Sequence, residues 1–172
     1  MADAAATGRV QTVLGDIAPD ELGLTLPHEH LLIDQTLGGV YFVEPEDPHE
    51  RELAHQPVCL ENLSWVRYHT KDNLDNQMLT DVGTAISEAW LFKLQGGSTI
   101  VDQTNRGIGR NPQALERISR ATGLNIVMGS GYYADGADTH ERVSAMNDED
   151  IAREIAADFT EGVDGTGLRA IS

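Results

Sequence analysis

Along the chain, short apolar runs typical of β-strands alternate with segments whose apolar residues recur every 3.6 residues, as in helices. The changes between these two patterns predict the order of the elements. Residues 9–17, RVQTVLGDI, carry apolar residues on both sides of the turn-prone Gly15 and Asp16 and predict a small hairpin. Residues 22–30, LGLTLPHEH, then predict a short strand. Residues 35–80 are polar and irregular, and a connection of this length in a compact domain is typical of a functional loop or of disorder.

From residue 81 onward the pattern is regular, with amphipathic helices separated by short strands rich in β-forming residues. The order strand, long loop, helix, strand, helix, strand, helix predicts a parallel sheet built from right-handed crossover units. The segments are a helix over 81–97, a strand over 98–104, a helix over 111–123, a strand over 124–131 and a helix over 147–162.

Apolar positions in the three helices recur with a period close to 3.6 residues, so each helix should turn one face to the core. The middle helix has the clearest ends, because Asn111 suits the N-cap, Pro112 suits the first helical position and Gly123 follows the last turn. The residues that follow this period are Val82, Ile86, Ala89, Trp90 and Lys93 or Leu94 in the first helix, Leu115 and Ile118 in the second, and Ile151, Ile155 and Phe159 in the third.

Two architectures fit this order of elements. An open doubly wound sheet usually carries a glycine-rich phosphate turn after its first strand, and no G-x-G-x-x-G sequence opens a helix here. A (β/α)8 TIM barrel takes about 250 residues and places its chemistry at the carboxyl ends of eight strands. This chain of 172 residues offers three βα units, with histidines at the end of the first strand. We therefore predict a single α/β domain over 1–172, the N-terminal portion of a (β/α)8 barrel preceded by the hairpin.

Composition narrows the classes of partner. The 28 acidic residues outnumber 12 basic ones and give a formal net charge of -16, which would repel nucleic acid and anionic membrane surfaces. No segment approaches the roughly 20 apolar residues that a membrane span needs. The single cysteine, Cys59, has no second cysteine for an internal disulfide and fits a reducing compartment. From these features we expect a cytoplasmic protein that binds neither nucleic acid nor membranes.

The segment LTLPHEHLLID places two imidazoles two positions apart in an apolar run. Strict alternation puts Leu24, Leu26, His28 and His30 on one face, and Pro27, which cannot donate to a ladder, indicates that strand pairing ends there. Two imidazoles at this spacing can turn toward one cation, and neutral imidazole suits zinc, iron, nickel or cobalt. A histidine pair satisfied by backbone or carboxylate partners is the alternative. A catalytic zinc normally has three protein ligands, so at least one more would come from elsewhere.

Longer segments resemble one family of enzymes. VQTVLGDI, LGLTLPHEHLLID, GGSTIVDQTNRGIGRNPQALERISRATGLNIVMGSGYY and GVDGTGLRA resemble, in order and spacing, the N-terminal half of the phosphotriesterase-related metal-dependent hydrolases of the amidohydrolase superfamily. The resemblance covers most of the chain outside the polar 35–80 loop. It implies a (β/α)8 barrel with two divalent metals, zinc being the expected ion, at the strand tips. It also implies that His28 and His30 bind the more buried metal.

The activity implied by this resemblance is hydrolysis of a phosphotriester, a lactone or a carboxylic ester by a metal-activated water. The family's remaining ligands are a lysine on strand four, histidines on strands five and six and an aspartate on strand eight, and none of them can be placed in this sequence. Lys71 and Lys93 precede the expected lysine position. The alternative is therefore a catalytically incompetent partial barrel that retains metal or ligand binding, whose exposed strand edges favour association of copies.

Two further residues have weaker predicted roles, and no catalytic acid or base is assigned. Asp102, near the end of the second barrel strand, is predicted either to accept a hydrogen bond that orients a histidine or to cap a nearby loop. Tyr133, in GSGYY, falls where the family places an aromatic residue that lines the substrate pocket, with ordinary packing at the rim as the alternative.

Overall fold

The computed structural model describes residues 8–37, 41–133 and 137–171 as an α/β structure with one parallel sheet. Its strands are β1 (Val10–Thr12), β2 (Gly15–Ile17), β3 (Leu24–Glu29), β4 (Ile33–Asp34), β5 (Met78–Leu79), β6 (Gly97–Asp102) and β7 (Asn125–Met128). Its helices are α1 (Pro48–Ala54), α2 (Leu63–Tyr68), α3 (Val82–Leu94), α4 (Pro112–Thr122), α5 (Ala137–Ser144) and α6 (Asp148–Thr160). Three 3-10 turns lie at Pro19–Glu21, Asp75–Gln77 and Val163–Gly165.

The parallel sheet has the strand order β3, β6, β7, which confirms the predicted order of crossover units. The chain passes from β3 to β6 through α3 and from β6 to β7 through α4, so each parallel connection carries a helix. Buried residues of the sheet and of α4 form one apolar cluster. Its most deeply buried members include Ile100, Leu115, Ile118, Leu124, Ile126 and Met128.

The middle helix, α4, is as the sequence predicts. The Asn111 side chain accepts a hydrogen bond from the backbone N–H of Ala114 at 3.1 Å and so caps the helix N-terminus. Gly123 ends the helix in the left-handed conformation, with φ 66°. Leu115 and Ile118 are fully buried against the sheet. The local capping signals and the apolar period therefore agree with the tertiary packing.

The helices α3 and α6 lie where the apolar period predicts them, but their apolar residues are only partly buried. Ala89 is buried, but Trp90 on the same helix is 45% exposed. On α6, Ile155 and Phe159 share the predicted helical spacing but are 42% and 36% exposed. The physical reason is that periodicity identifies residues that share a face, whereas burial requires a neighbouring element over that face.

The N-terminal hairpin is confirmed, but its turn lies earlier than predicted. Thr12 pairs with Gly15, so the turn residues are Val13 and Leu14. The Val13 N–H donates to the Ile126 carbonyl of β7 at 2.9 Å, and its side chain is buried in the core. Docking of the turn on β7 therefore outweighs the preference of Gly15 and its successor for turn positions.

The connection over residues 35–80 contains ordered elements in its described part. The short strands β4 and β5 pair antiparallel and bring the two ends of the connection together. Between them lie α1 and α2, and the fully buried amide of Asn73 donates to the carbonyls of Leu53 and Gln56 at the end of α1. The segment is thus a long connection with its own hydrogen-bonded structure, and α2 lies where the sequence NLSWVRYH, residues 62–69, predicts a helical turn.

The last described residues lie beside β7. The Ile171 N–H donates to the Met128 carbonyl at 3.0 Å, and the Ala170 N–H donates to the Asp158 carbonyl of α6. The Ile171 contact adds a backbone hydrogen bond to β7 on the side away from β6. Helix α5, by contrast, was not predicted. Among the helices of the described ranges, none is long and apolar enough to cross a membrane.

Candidate metal centre

The carboxyl end of β3 departs from strict alternation. Between Leu26 and Glu29 the strand advances three residues while β6 advances two, so a β-bulge lies in this stretch. Pro27, which has no N–H to donate, lies within the bulge. Because of this bulge, strict alternation does not hold from Leu26 to His30, so the predicted common face of the leucines and histidines does not follow. The bulge sets the direction of the histidines separately from that of the leucines.

The two histidines lie on the same side of the strand end. Their ring centroids are 5.8 Å apart and the ring planes meet at 74°. Two imidazoles that share a tetrahedral zinc ion have centroids roughly 5 Å apart, given Zn–N distances of about 2.0–2.1 Å. His28 is exposed and His30 is half-buried, so both rings can be reached by an ion. The pair therefore fits two positions of one divalent metal.

Hydrogen bonds select one tautomer of His30. Its Nδ1 lies 2.9 Å from Thr104 Oγ1, and that hydroxyl lies 2.8 Å from the Leu32 carbonyl oxygen. A carbonyl can only accept, so the single hydroxyl proton of Thr104 goes to Leu32, and the hydroxyl oxygen accepts the Nδ1–H of His30. The Nε2 lone pair of His30 is then left for a metal. Sequence reasoning missed Thr104, although its position just beyond the end of β6 was a signal.

The surroundings of His30 favour its neutral form. Burial lowers the pKa of this imidazole below its ordinary value, and the neighbouring His28 lowers it further. The carboxylate of Glu29 opposes these two effects. Neutral imidazole is the form that binds a metal, so the electrostatics and the tautomer of His30 agree.

Asp102 is fully buried behind the histidine pair. Its carboxylate accepts the backbone N–H of Leu31 at 2.8 Å and that of Thr104 at 3.0 Å. Burial raises the pKa of Asp102 to about 6, and these hydrogen bonds limit the rise. The contacts are those of a carboxylate that caps a loop, the second of the two predicted roles. Because Leu31 follows His30 and Thr104 bonds its ring, Asp102 acts on the histidine through the backbone.

Tyr133 lies in the loop after β7, where its ring centroid is 5.9 Å from that of Tyr41. Its backbone N–H donates to the Arg106 carbonyl at 3.4 Å. A cavity of about 410 Å³ borders His30 between β3 and α3, and Tyr133 is not among its lining residues. The role of Tyr133 as a pocket residue therefore stays a prediction, with Tyr41 as its packing partner.

The described residues hold an incomplete set of metal ligands. Across 8–37, 41–133 and 137–171, no group of three or more histidine, cysteine, aspartate or glutamate side chains is arranged to hold a metal ion. His28 and His30 fit as a ligand pair by their donor chemistry and by the unprotonated Nε2 of His30, and a third ligand would have to lie outside this set.

The Phosphotriesterase family model matches residues 8–171 of the chain. Among solved structures, a resiniferatoxin-binding protein from Rhodobacter sphaeroides has a TM-score of 0.86 at 42% identity, covering 95% of this chain and 45% of that one. Organophosphorus hydrolase from Deinococcus radiodurans has a TM-score of 0.64 at 28% identity, covering 95% and 42%.

Curated relatives give the same result. N-acetyltaurine hydrolase from Xenopus tropicalis is 36% identical over 165 residues, covering 95% of this chain and 46% of its own length. The Homo sapiens protein of that name is 35% identical over 164 residues, with the same coverage of 95% and 46%. The chain thus spans about half the length of these relatives, and the predicted partial barrel is confirmed. By family match, identity and superposition, the chain belongs to the phosphotriesterase family.

Proposed function

We propose that this chain supplies part of a metal-dependent hydrolase site, with His28 and His30 as two ligands of one divalent metal, zinc being the expected ion. The observation that carries the proposal is the hydrogen-bond chain from His30 through Thr104 to the Leu32 carbonyl. These hydrogen bonds leave Nε2 of His30 unprotonated, with its lone pair available to a metal. This is the tautomer that a ligand bound through Nε2 needs.

The reaction that we propose for the complete site is hydrolysis of a small molecule at a carbonyl or phosphorus centre. The curated relatives are named for N-acetyltaurine, and a structural relative for organophosphorus compounds. Phosphotriesters, lactones and carboxylic esters remain in the proposed class, and the name N-acetyltaurine adds an amide to it. When bound, the metal would supply the Lewis acidity that lowers the pKa of water and polarises the bond to be cleaved.

The residues of this chain contribute positioning and electrostatics. Thr104 fixes the ring of His30, and Asp102 holds the backbone on both sides of that contact. Burial lowers the pKa of His30 and so favours the neutral form that a metal ligand needs. The β3 bulge turns both imidazoles to the same side. These features prepare a ligand pair before any metal arrives.

One observation favours a second candidate function. The described residues provide two clustered ligands where a catalytic zinc site normally has three. The 172-residue chain would then bind metal or ligand weakly, without turnover. The two candidates share the histidine pair and differ in whether the chain hydrolyses a substrate.

Zinc titration of the purified chain tests the shared part of the proposal. We expect His28→Ala and His30→Ala each to weaken zinc binding at least about tenfold, measured by competition with a chromophoric chelator. His49→Ala is the matched control, since this exposed histidine of α1 lies in a polar segment and should leave the affinity unchanged. Wild-type affinity in both β3 variants would refute the histidine pair.

Turnover by the zinc-loaded chain then separates the two candidates. The assay measures release of product from N-acetyltaurine, a carboxylic ester, a lactone and a phosphotriester. Hydrolysis that disappears in His30→Ala supports the hydrolase, whereas zinc binding with no hydrolysis of any of the four supports binding without turnover.

A further inference from the structure

A lysine lies over an aromatic ring in the connection after β3. The Lys71 ammonium is 5.3 Å from the centroid of the Tyr41 ring, within the range of a cation–π contact. Among the described residues, no carboxylate forms a salt bridge with this ammonium. Lys71 is exposed, in a chain whose formal net charge is -16. An anionic group could therefore approach this cation without breaking an ion pair.

Tyr41 and Tyr133 join two loops that follow different strands. Tyr41 belongs to the connection after β3, and Tyr133 to the loop after β7, and their ring planes meet at 57° with the centroids 5.9 Å apart. In parallel sheets the loops after neighbouring strands emerge at the same end. One surface at the carboxyl end of the sheet is therefore formed by Lys71, Tyr41 and Tyr133, with two tyrosine rings next to the lysine ammonium.

This surface is connected to the candidate metal centre through the loop after β6. Thr104 binds the ring of His30, and Arg106, two residues further along, accepts the Tyr133 N–H. Two residues of chain span at most about 7 Å. The loop that carries Tyr133 is thus hydrogen-bonded to the same loop after β6 whose Thr104 positions a proposed metal ligand.

The other cations of the loop after β6 are already neutralised. Arg110 is buried and lies 2.7 Å from a carboxylate oxygen of Asp158. Arg106 lies 3.5 Å from oxygens of Glu154 and Asp158. An anion that bound either arginine would compete with an existing carboxylate and gain little. This comparison favours Lys71 as the anion-binding group.

We propose that Lys71, Tyr41 and Tyr133 form a subsite for the anionic end of a short substrate, a sulfonate, carboxylate or phosphonate. The substrate's scissile bond would lie at the metal centre, so this inference rests on the proposed function. The ammonium attracts the charge, and the tyrosine rings contact the methylene groups that link it to the reacting centre. The subsite would favour substrates with a negatively charged end, a preference that the metal ligands do not provide.

Ligand-observed NMR titrations test the subsite without requiring turnover. The probes are N-acetyltaurine and N-ethylacetamide, which share the amide and differ in the sulfonate. For the wild-type chain we expect at least about threefold tighter binding of N-acetyltaurine, consistent with a solvent-exposed charge contact. In Lys71→Gln this preference should disappear, and Lys71→Arg should restore part of it.

The matched control is Lys93→Gln, which removes the only other lysine of the sequence. Lys93 donates to the Gly123 carbonyl on the helical side of the fold, so its loss should leave the sulfonate preference intact. Circular dichroism spectra should match among all variants. Absence of the preference in the wild type, or its persistence in Lys71→Gln, would overturn the subsite.

His30→Ala separates failure of the subsite from failure of the proposed function. In the metal-free chain, this variant should keep a sulfonate preference that depends on Lys71. If zinc binds independently of His28 and His30 while the preference still depends on Lys71, the proposed metal site is wrong and the subsite stands. If zinc binding requires His28 and His30 but the sulfonate preference does not depend on Lys71, the subsite is wrong and the proposed metal site stands.

Discussion

At the scale of single residues, the tautomer of His30 depends on the one hydroxyl proton of Thr104. This hydroxyl has two partners, His30 Nδ1 and the Leu32 carbonyl, and the carbonyl can only accept a hydrogen bond, so it takes the proton. That necessity determines the tautomer of an imidazole 74 positions away in sequence. No local pattern around His30 carries this information, because the contact exists only once β3 and β6 are paired. The hydroxyl can therefore be tested apart from the ligands.

Thr104→Val should weaken zinc binding roughly tenfold, the lower end of the effect expected for groups that orient metal ligands. The valine keeps the volume of the buried threonine but cannot accept the Nδ1–H of His30. The measurement is the same chelator competition, made at fixed pH. Thr104→Ser, which keeps the hydroxyl, should remain within about twofold of the wild type.

Thr122→Val is the control for the general cost of removing a buried hydroxyl. Thr122 is buried in α4 and bonds the Ile118 carbonyl, far along the chain from the histidines. Both valine variants should lose about 1–2 kcal/mol of unfolding free energy, but zinc affinity should fall only in Thr104→Val. Equal zinc affinity in the two variants would contradict the positioning role of Thr104.

Asp102 predicts a pH dependence of stability. Burial raises the pKa of this carboxyl from 3.8 to about 6, so the folded state binds its proton more tightly than the unfolded state. The associated stabilisation is fully present below about pH 4 and is lost as pH rises through about 6, on the order of 2–3 kcal/mol in total. Urea unfolding between pH 4 and pH 7 measures this change.

Asp102→Asn isolates the contribution of that one carboxyl. The asparagine does not titrate, so the stability difference between wild type and variant should shrink as pH rises from 4 to 7. Other carboxylates act equally in both proteins and cancel in the difference. A difference that stays constant across this range would show that Asp102 has an unshifted pKa.

At the scale of elements, local signals predicted what local contacts decide. The ends of α4 follow from Asn111 and Gly123, which act on adjacent backbone groups. The bulge in β3 did not follow from alternation, since it depends on register against β6. Burial of Ile155 likewise depends on an element over α6 and could not be predicted from its own helix. The histidine pair was predicted from its pattern and the family resemblance, but its positioning contacts were not.

Two isoleucines at similar helical positions should therefore differ in their effect on stability. Ile118 on α4 is fully buried, so Ile118→Ala should cost about 2–5 kcal/mol of unfolding free energy through lost burial and a cavity. Ile155 on α6 is 42% exposed, and Ile155→Ala should cost less than about 1 kcal/mol. Urea denaturation of both variants measures the contrast. Equal losses would mean that α6 is covered in solution.

At the scale of the whole molecule, open edges compete with net charge. Among the described residues, β3 pairs only with β6 in the parallel sheet, so its other side offers unpaired backbone groups. Ile155, Phe159 and Ile171 border a shared surface depression, and each is at least 36% exposed. Both features favour contact with a second copy, whereas a formal charge of -16 opposes it.

Because salt screens the repulsion, self-association should increase with ionic strength. Screening shortens the Debye length from about 30 Å at 0.01 M to about 8 Å at 0.15 M, while burial of apolar surface is little affected. Sedimentation velocity should show mainly the 18.7 kDa chain at low salt and larger species at high salt and high concentration. Ile155→Glu with Phe159→Glu should reduce the larger species by placing charge on the surface of α6.

Leu60→Glu is the matched control for added charge, because Leu60 is 87% exposed and lies outside that surface. If this substitution suppresses association as strongly as the α6 pair, net charge alone governs the equilibrium and the α6 surface has no special part. If neither change acts while association persists, the contact lies along the open edge of β3. A lysine placed at Leu24, which is 58% exposed on that strand, would then be the informative variant.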